Sequence, residues 1–197
     1  DGNILSQYIF PEGKIYVGEE IVNEFILTLK TAVWNKLFRK EIIYNKQFPI
    51  GRIHGEDLVF ITSFLNPRTK LVTVSEAGYY YVKHAGSITT KGFSEKSFDE
   101  VYCKDEAYDK LLKEFPKIKN KALIWKFRSR MNVNRKLIIE KTESFSDIYD
   151  SYFKWLDENY KICKAELHLK EKVEFILYRR FTSIYKKVIN FIVKNRR

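Results

Sequence analysis

Glycine does not occur after Gly92, and the chain beyond it consists of long charged segments whose apolar residues recur at helical spacing. Four such segments cover residues 97–114, 117–142, 145–160 and 165–194. Pro116 marks a boundary between the first two, because proline interrupts a helix. A stretch without glycine and with this period is typical of packed helices. Residues 97–197 are therefore predicted to form an all-α extension, and not a separate enzyme.

The first 96 residues have a mixed pattern. Apolar residues at positions 21, 22, 25, 26 and 29 predict an amphipathic helix over 19–29, and an apolar run predicts another over 56–64. Residues 71–74 and 79–82 are rich in β-branched and aromatic side chains and are predicted to be strands. The pattern of residues 1–18 indicates short strands or extended loop. The predicted fold class is thus a mixed α/β part followed by helices, helix-rich as a whole.

Two adjacent acids, Glu56 and Asp57, follow Gly55 and precede the apolar run of the predicted helix. Acids in a first helical turn are common, because they complement the helix dipole. An ionised carboxylate in a short turn can also act as a general base toward a hydroxyl. Taken alone, this pattern favours the first interpretation.

The order of the short sequence motifs around these acids says more about the function than the acids do alone. WNKLFRK begins at Trp34, a Phe-Pro-x-Gly segment ends at Gly51, GEDLVF begins at Gly55, and YYYVKHAGSIT begins at Tyr79. Over about residues 1–98, this order closely resembles the second half of family 2 glycosyltransferases of the GT-A fold. The resemblance implies an inverting enzyme that moves a sugar from a nucleotide-sugar donor to an acceptor hydroxyl. It assigns residues 1–96 to the acceptor-side half of the GT-A domain and 97–197 to the helical extension.

The resemblance also implies roles for individual residues. Asp57 matches the catalytic base, and Glu56 is its partner; a base on the acceptor side suits inversion in a single displacement. Trp34, Asn35 and Lys36 are expected to shape the acceptor side, although a core tryptophan beside a solvated lysine fits equally well. The resemblance also implies that the leaving diphosphate contacts Lys83, His84 and Ser87, at a basic position where relatives often have arginine. An exposed loop is the alternative for these residues.

The family's metal site is not present in this sequence. The resemblance implies Mn²⁺ or Mg²⁺ on the diphosphate, held by the carboxylates of a DxD-type motif in the donor half. That half would precede Asp1, so the chain is interpreted as a C-terminal portion that is inactive alone. Cys103 and Cys163 lack any ligand spacing and are predicted to be free thiols of a cytosolic protein. The three scattered histidines make a zinc site improbable.

The net charge of +11 suggests an anionic partner, such as nucleic acid, anionic lipid or a phosphorylated substrate. A nucleic-acid partner is not predicted, because no recognition motif occurs and acids are interspersed among the bases. Residues 175–197 carry apolar residues at helical spacing beside a basic face, which is typical either of a helix on an anionic membrane or of a core-packed terminal helix. No apolar run approaches the ~20 residues of a spanning helix.

Together these features predict a cytoplasmic enzyme part, peripheral on the inner face of the plasma membrane. Its role would lie in synthesis of cell-surface polysaccharide or glycan, with a glycan or a lipid-linked acceptor. The alternative is a non-catalytic helical module that docks on a membrane or on a protein.

Overall fold

The computed structural model describes residue 7 and residues 9–82, 93–140 and 143–194. This part of the chain is rich in helix and contains one small sheet. The strands are β1 (Ile15–Val17) and β2 (Lys70–Val72), and the helices are α1 (Glu19–Ile21), α2 (Lys40–Ile43), α3 (Glu56–Thr62), α4 (Asp99–Glu114), α5 (Lys119–Glu140), α6 (Ser146–Cys163), α7 (Leu169–Arg180) and α8 (Thr182–Lys194). The helix-rich mixed fold class is confirmed at this level.

The two strands pair antiparallel, with Tyr16 opposite Leu71. The helix predicted over 19–29 begins at the expected residue, but α1 continues as a π-helical turn over Val22–Ile26. It ends before Leu29, whose φ of 60° is left-handed. The wider turn brings Val22, Phe25 and Ile26 into the core.

The strand predicted over 79–82 is wrong. These residues have no regular secondary structure and pair with no strand within the described part of the chain. Tyr79, Tyr80 and Tyr81 are all at least half exposed, so the expected alternation between core and surface is also absent. A strand needs a partner for its backbone groups, and aromatic composition alone does not supply one.

Helix α3 lies at the centre of the first core. Its residues 58–62 are all buried, and Leu58, Phe60 and Ile61 pack against α1 and its π-turn, α4 and the start of α5. Ala107 and Leu111 of α4 and Trp125 of α5 belong to the same core. Helical residues after 97 therefore support the part of the chain before 96, and the boundary placed between them stays a prediction.

Gly55 lets α3 come close to α4. Its φ of 88° is left-handed, and a Cβ at this position would lie 2.8 Å from the Cβ of Cys103. Because that neighbour is the base of a side chain, it cannot rotate away. Glycine is therefore required here both by the backbone conformation and by the space.

A second core joins α5 to the three helices that follow. Phe127, Leu156, Phe175 and Tyr178 are among its buried members. Ion pairs reinforce it, since Arg128 and Arg135 of α5 each donate two hydrogen bonds to a glutamate of α7, Glu171 and Glu174 respectively.

The single helix predicted over 165–194 is wrong, because it is interrupted at Phe181, which has non-helical torsions. In an uninterrupted helix, Ile189 would lie about 21 Å along the axis from Phe175, given a rise of 1.5 Å per residue. The interruption allows Tyr185 and Ile189 to pack in the same core as Phe175 and Tyr178. The Tyr185 hydroxyl also donates to Glu174, at 2.7 Å.

Two further expectations concern cysteines and membrane spans. Cys103 and Cys163 are both free and buried, as predicted. Among the described residues, no helix combines the length and apolarity needed to cross a bilayer.

We expect Gly55→Ala to lower the free energy of unfolding by about 2–4 kcal/mol, from left-handed strain and from overpacking against Cys103. Gly13→Ala is the matched control, because Gly13 is also left-handed, with φ of 64°, but has open space around its Cβ position. The control should lose only about 1–2 kcal/mol. Urea unfolding of both variants measures the difference, and equal losses would contradict close packing of α3 on α4.

Candidate functional site

Asp57 lies in the first turn of α3 and holds a distant loop. Its Oδ2 accepts a hydrogen bond from the backbone N–H of Val33 at 3.1 Å, across 24 residues of sequence. The left-handed Gly55 directs the chain into α3, so the carboxylate emerges at the start of a buried helix. The structure thus brings the predicted base beside the segment predicted to shape the acceptor side.

That segment forms a turn over residues 33–36, closed by a hydrogen bond from the Lys36 N–H to the Val33 carbonyl at 3.1 Å. The Lys36 side chain folds back over the turn. Its Nζ donates to the Ala32 carbonyl at 2.6 Å, to the Lys30 carbonyl at 3.1 Å and to Asn35 Oδ1 at 2.8 Å. Asn35 and Lys36 are thereby brought together, and Lys36 is not the solvated lysine of the alternative interpretation.

Burial lowers the pKa of the Lys36 side chain. Loss of solvent lowers the pKa of its ammonium group from 10.5 to about 8, and the negative charge of Asp57 opposes part of this fall. The two side chains therefore act on each other electrostatically, although they form no direct ion pair. A lysine with a pKa near 8 can hold or release a proton close to neutral pH.

Trp34 stands on the outer side of the turn within an aromatic cluster formed with Tyr79 and Tyr81. Its ring stacks on that of Tyr79 with centroids 4.6 Å apart, and on that of Tyr81 with centroids 5.2 Å apart. All three side chains remain about half exposed. Trp34 is therefore not a core residue. The cluster presents aromatic surface at the turn over residues 33–36, which is bound to Asp57.

The contribution of the two tyrosines was not predicted from the sequence. Their signal is the spacing of two residues in an extended run, which places both side chains on one side of the chain. The strand prediction over 79–82 gives no indication that a single tryptophan contacts both rings.

Phenylalanines fix the loop between the turn and α3. Phe48 stacks on Phe60 of α3 with ring centroids 4.2 Å apart and planes nearly parallel. Phe38, which follows the turn, meets Phe60 and Phe64 edge-on. One face of α3 thus anchors both ends of the loop while its first turn presents Asp57.

A second anchor, missed in the sequence, holds the residues just before Gly55. The buried Asp99 at the start of α4 accepts hydrogen bonds from Arg52 at 2.8 Å and from the Ile53 N–H at 3.0 Å. Burial alone would raise the pKa of Asp99, but these hydrogen bonds outweigh it and hold the pKa below its ordinary value. The guanidinium of Arg52 also lies over the Tyr102 ring, 4.7 Å from the centroid.

Glu56 has different surroundings from Asp57. It is partly exposed, and its charge acts on Cys103 of α4, where burial is the main cause that raises the thiol pKa to about 11. Its predicted role as partner of the base stays a prediction. Lys83, His84 and Ser87 lie outside the described residues, so their diphosphate-binding role also stays a prediction.

Within residues 7–82 and 93–194, as far as they are described, no group of three histidine, cysteine or acidic side chains is arranged to hold a metal ion. Comparison of the chain with family models, with curated proteins and with solved structures found no match.

We expect the Lys36 ammonium to titrate near pH 8, and Asp57→Asn to move its pKa lower still, because the variant removes the negative charge that favours the protonated form. The measurement is a carbon NMR titration of lysine-labelled protein, with Lys36→Arg to assign the signal. Glu41→Gln, an exposed acid on α2, is the control and should leave the titration unchanged. An unchanged Lys36 pKa in Asp57→Asn would contradict the coupling.

Proposed function

We propose that residues 1–96 form the acceptor-side part of an inverting glycosyltransferase of the GT-A fold, with Asp57 as its general base. The observation that carries the proposal is the hydrogen bond between Asp57 and Val33, which joins the carboxylate to the Trp34–Lys36 turn. The resemblance of the sequence links these two segments in one site, and their contact in the structure supports that link.

The carboxylate of Asp57 suits the role of base. Its Oδ2 is held by the Val33 amide, so the orientation of the whole group is fixed, while no hydrogen bond within the described residues engages Oδ1. Oδ1 would take the proton of the acceptor hydroxyl as that oxygen attacks the anomeric carbon. The new carbon–oxygen bond forms on one face while the bond to the nucleoside diphosphate breaks on the other, which inverts the configuration.

The surrounding residues would bind the acceptor. Aromatic rings present a flat apolar face with a polar edge, and the half-exposed Trp34, Tyr79 and Tyr81 offer such faces beside the base. The Lys36 ammonium keeps positive charge next to the turn below pH 8. Asn35, which accepts from Lys36, adds an amide at the same edge.

The donor side completes the proposal. Lys83, His84 and Ser87 would contact the diphosphate, and a nucleotide-binding unit encoded before Asp1 would hold the donor. The Mn²⁺ or Mg²⁺ implied by the resemblance would take its ligands from that unit, so no step is assigned to the metal. A cytoplasmic location and a role in polysaccharide or glycan synthesis also belong to this proposal.

In a protein that contains this chain together with the residues encoded before it, Asp57→Asn should lower sugar transfer by about 10²–10⁴-fold. Asparagine keeps an oxygen that accepts from the Val33 N–H but cannot take a proton at neutral pH. Transfer of labelled sugar from a nucleotide-sugar in the presence of Mn²⁺ measures the effect.

Asp57→Ala and Glu41→Gln complete that experiment. A purely structural Asp57 would leave Asp57→Asn active and Asp57→Ala inactive, because only alanine removes the hydrogen bond to Val33. Glu41→Gln should keep full activity. If no nucleotide-sugar is turned over by the longer wild-type protein, the assignment fails and the non-catalytic docking module becomes the better account.

The 197-residue chain alone should bind a nucleoside diphosphate poorly. Its proposed diphosphate contacts are limited to Lys83, His84 and Ser87, without the metal carboxylates or a nucleoside pocket. Titration calorimetry with uridine diphosphate and Mn²⁺ tests this. Micromolar affinity would show a donor site within this chain and would refute the division between the two halves.

A further inference from the structure

Some apolar side chains of α8 are buried in the second core, and others are exposed to solvent. Tyr185 and Ile189 are 2% and 9% exposed and belong to the second core. Among the side chains of this segment that the structure describes, the other large apolar ones are exposed by 39–69%. We call them, with Phe181 just before the helix, the α8 stripe: Phe181, Ile184, Val188, Phe191 and Ile192. The core-packed and the membrane-facing interpretations of this segment therefore describe different residues of the same helix.

The α8 stripe forms one continuous face. Its members are spaced three or four residues apart, except for the adjacent pair at 191 and 192, and such positions line one side of a helix. Tyr185 and Ile189 lie on the neighbouring side, where they meet α5 and α7. The helix is thus anchored by one face while an adjacent apolar face stays open.

The sequence that contains the stripe is strongly basic. Residues 169–197 contain nine lysines and arginines and only two acids, Glu171 and Glu174. Both acids are engaged by Arg128 and Arg135 of α5. Helix α8 itself contains no acid, so its cations have no opposite charge in their own helix.

Lys187, three residues after Ile184 and four before Phe191, borders the stripe, whereas Lys186 lies on the opposite side of the helix. Arg180, Lys186 and Lys187 are exposed, and no ion pair engages them within the described residues. Arg179 differs, because it pairs with Asp157 of α6. Long basic side chains can lay their stems along apolar surface while their charged ends stay in water.

We propose that the α8 stripe docks on the surface of an anionic lipid bilayer, lying in the interface and not crossing it. An apolar face flanked by cations and free of acids complements acyl chains beneath anionic headgroups. A second copy of the chain is a poorer occupant, because its own Arg180 and Lys187 would be brought against these cations. This inference concerns α8 and not the Asp57 site, and it does not depend on the proposed enzymatic role.

The experiment is co-sedimentation of the chain with vesicles of phosphatidylcholine, with and without phosphatidylglycerol. Wild type should sediment only with the anionic vesicles, and less at high salt, because salt screens exposed charges. Ile184→Ser combined with Val188→Ser and Phe191→Ser should weaken partitioning by about a hundredfold, from lost apolar burial. Arg180→Gln with Lys187→Gln should weaken it by about thirtyfold.

Matched controls come from α6. Ile162 is 55% exposed, so Ile162→Ser removes an apolar side chain of similar exposure outside the stripe. Lys161→Gln with Lys164→Gln removes two exposed cations elsewhere. Both controls should sediment like wild type, and circular dichroism should show that every variant is folded.

The outcomes separate the alternatives. If wild type does not sediment with anionic vesicles, or if the α6 controls lose binding as strongly as the α8 variants, the proposal is refuted. If light scattering instead shows a dimer that the triple serine variant abolishes, without lipid binding, the stripe is a contact between copies of the chain. Because no nucleotide-sugar is involved, the result is independent of the Asp57 experiments.

Discussion

The packing of α3 against α4 is the constraint on which the candidate site depends. Gly55 lies where a Cβ would meet the Cβ of Cys103, so the start of α3 is held close to its neighbour. The hydrogen bonds from Arg52 and Ile53 to Asp99 fix the residues just before it. Asp57 is therefore presented by a rigid element, which is what a base needs if its oxygen must meet a hydroxyl at hydrogen-bonding distance.

The same helix organises the segment that faces it. The Phe60 ring contacts those of Phe38 and Phe48, and Asp57 accepts a hydrogen bond from the Val33 N–H. The turn over 33–36 thus depends on α3 through both apolar and polar contacts. A carboxylate that only complemented a helix dipole would not need this second partner. What favours chemistry is the combination with a half-buried lysine and an exposed aromatic cluster.

Local features of this fold were predictable, and non-local ones were not. The start of α3 at Glu56 follows from a glycine, two acids and an apolar run, all adjacent in sequence. The contact between Asp57 and Val33 spans 24 residues, and only the resemblance suggested that the two segments meet. The stretch from Tyr79 was misassigned because aromatic composition indicates a strand without specifying a partner. No proline or glycine marks the interruption at Phe181. It depends on tertiary packing, because it lets Tyr185 and Ile189 join the second core.

The double anchoring of the loop between the turn and α3 has a consequence for how its length can vary. Its ends are held by Val33 on Asp57 and by Phe48 on Phe60, while residues 44–47, between α2 and the second of these anchors, are exposed. Doubling the length of a flexible loop costs only about 0.6 kcal/mol of closure entropy. Insertions in this exposed stretch would therefore reshape the rim of the site at little thermodynamic cost, while the carboxylate and the turn keep their places.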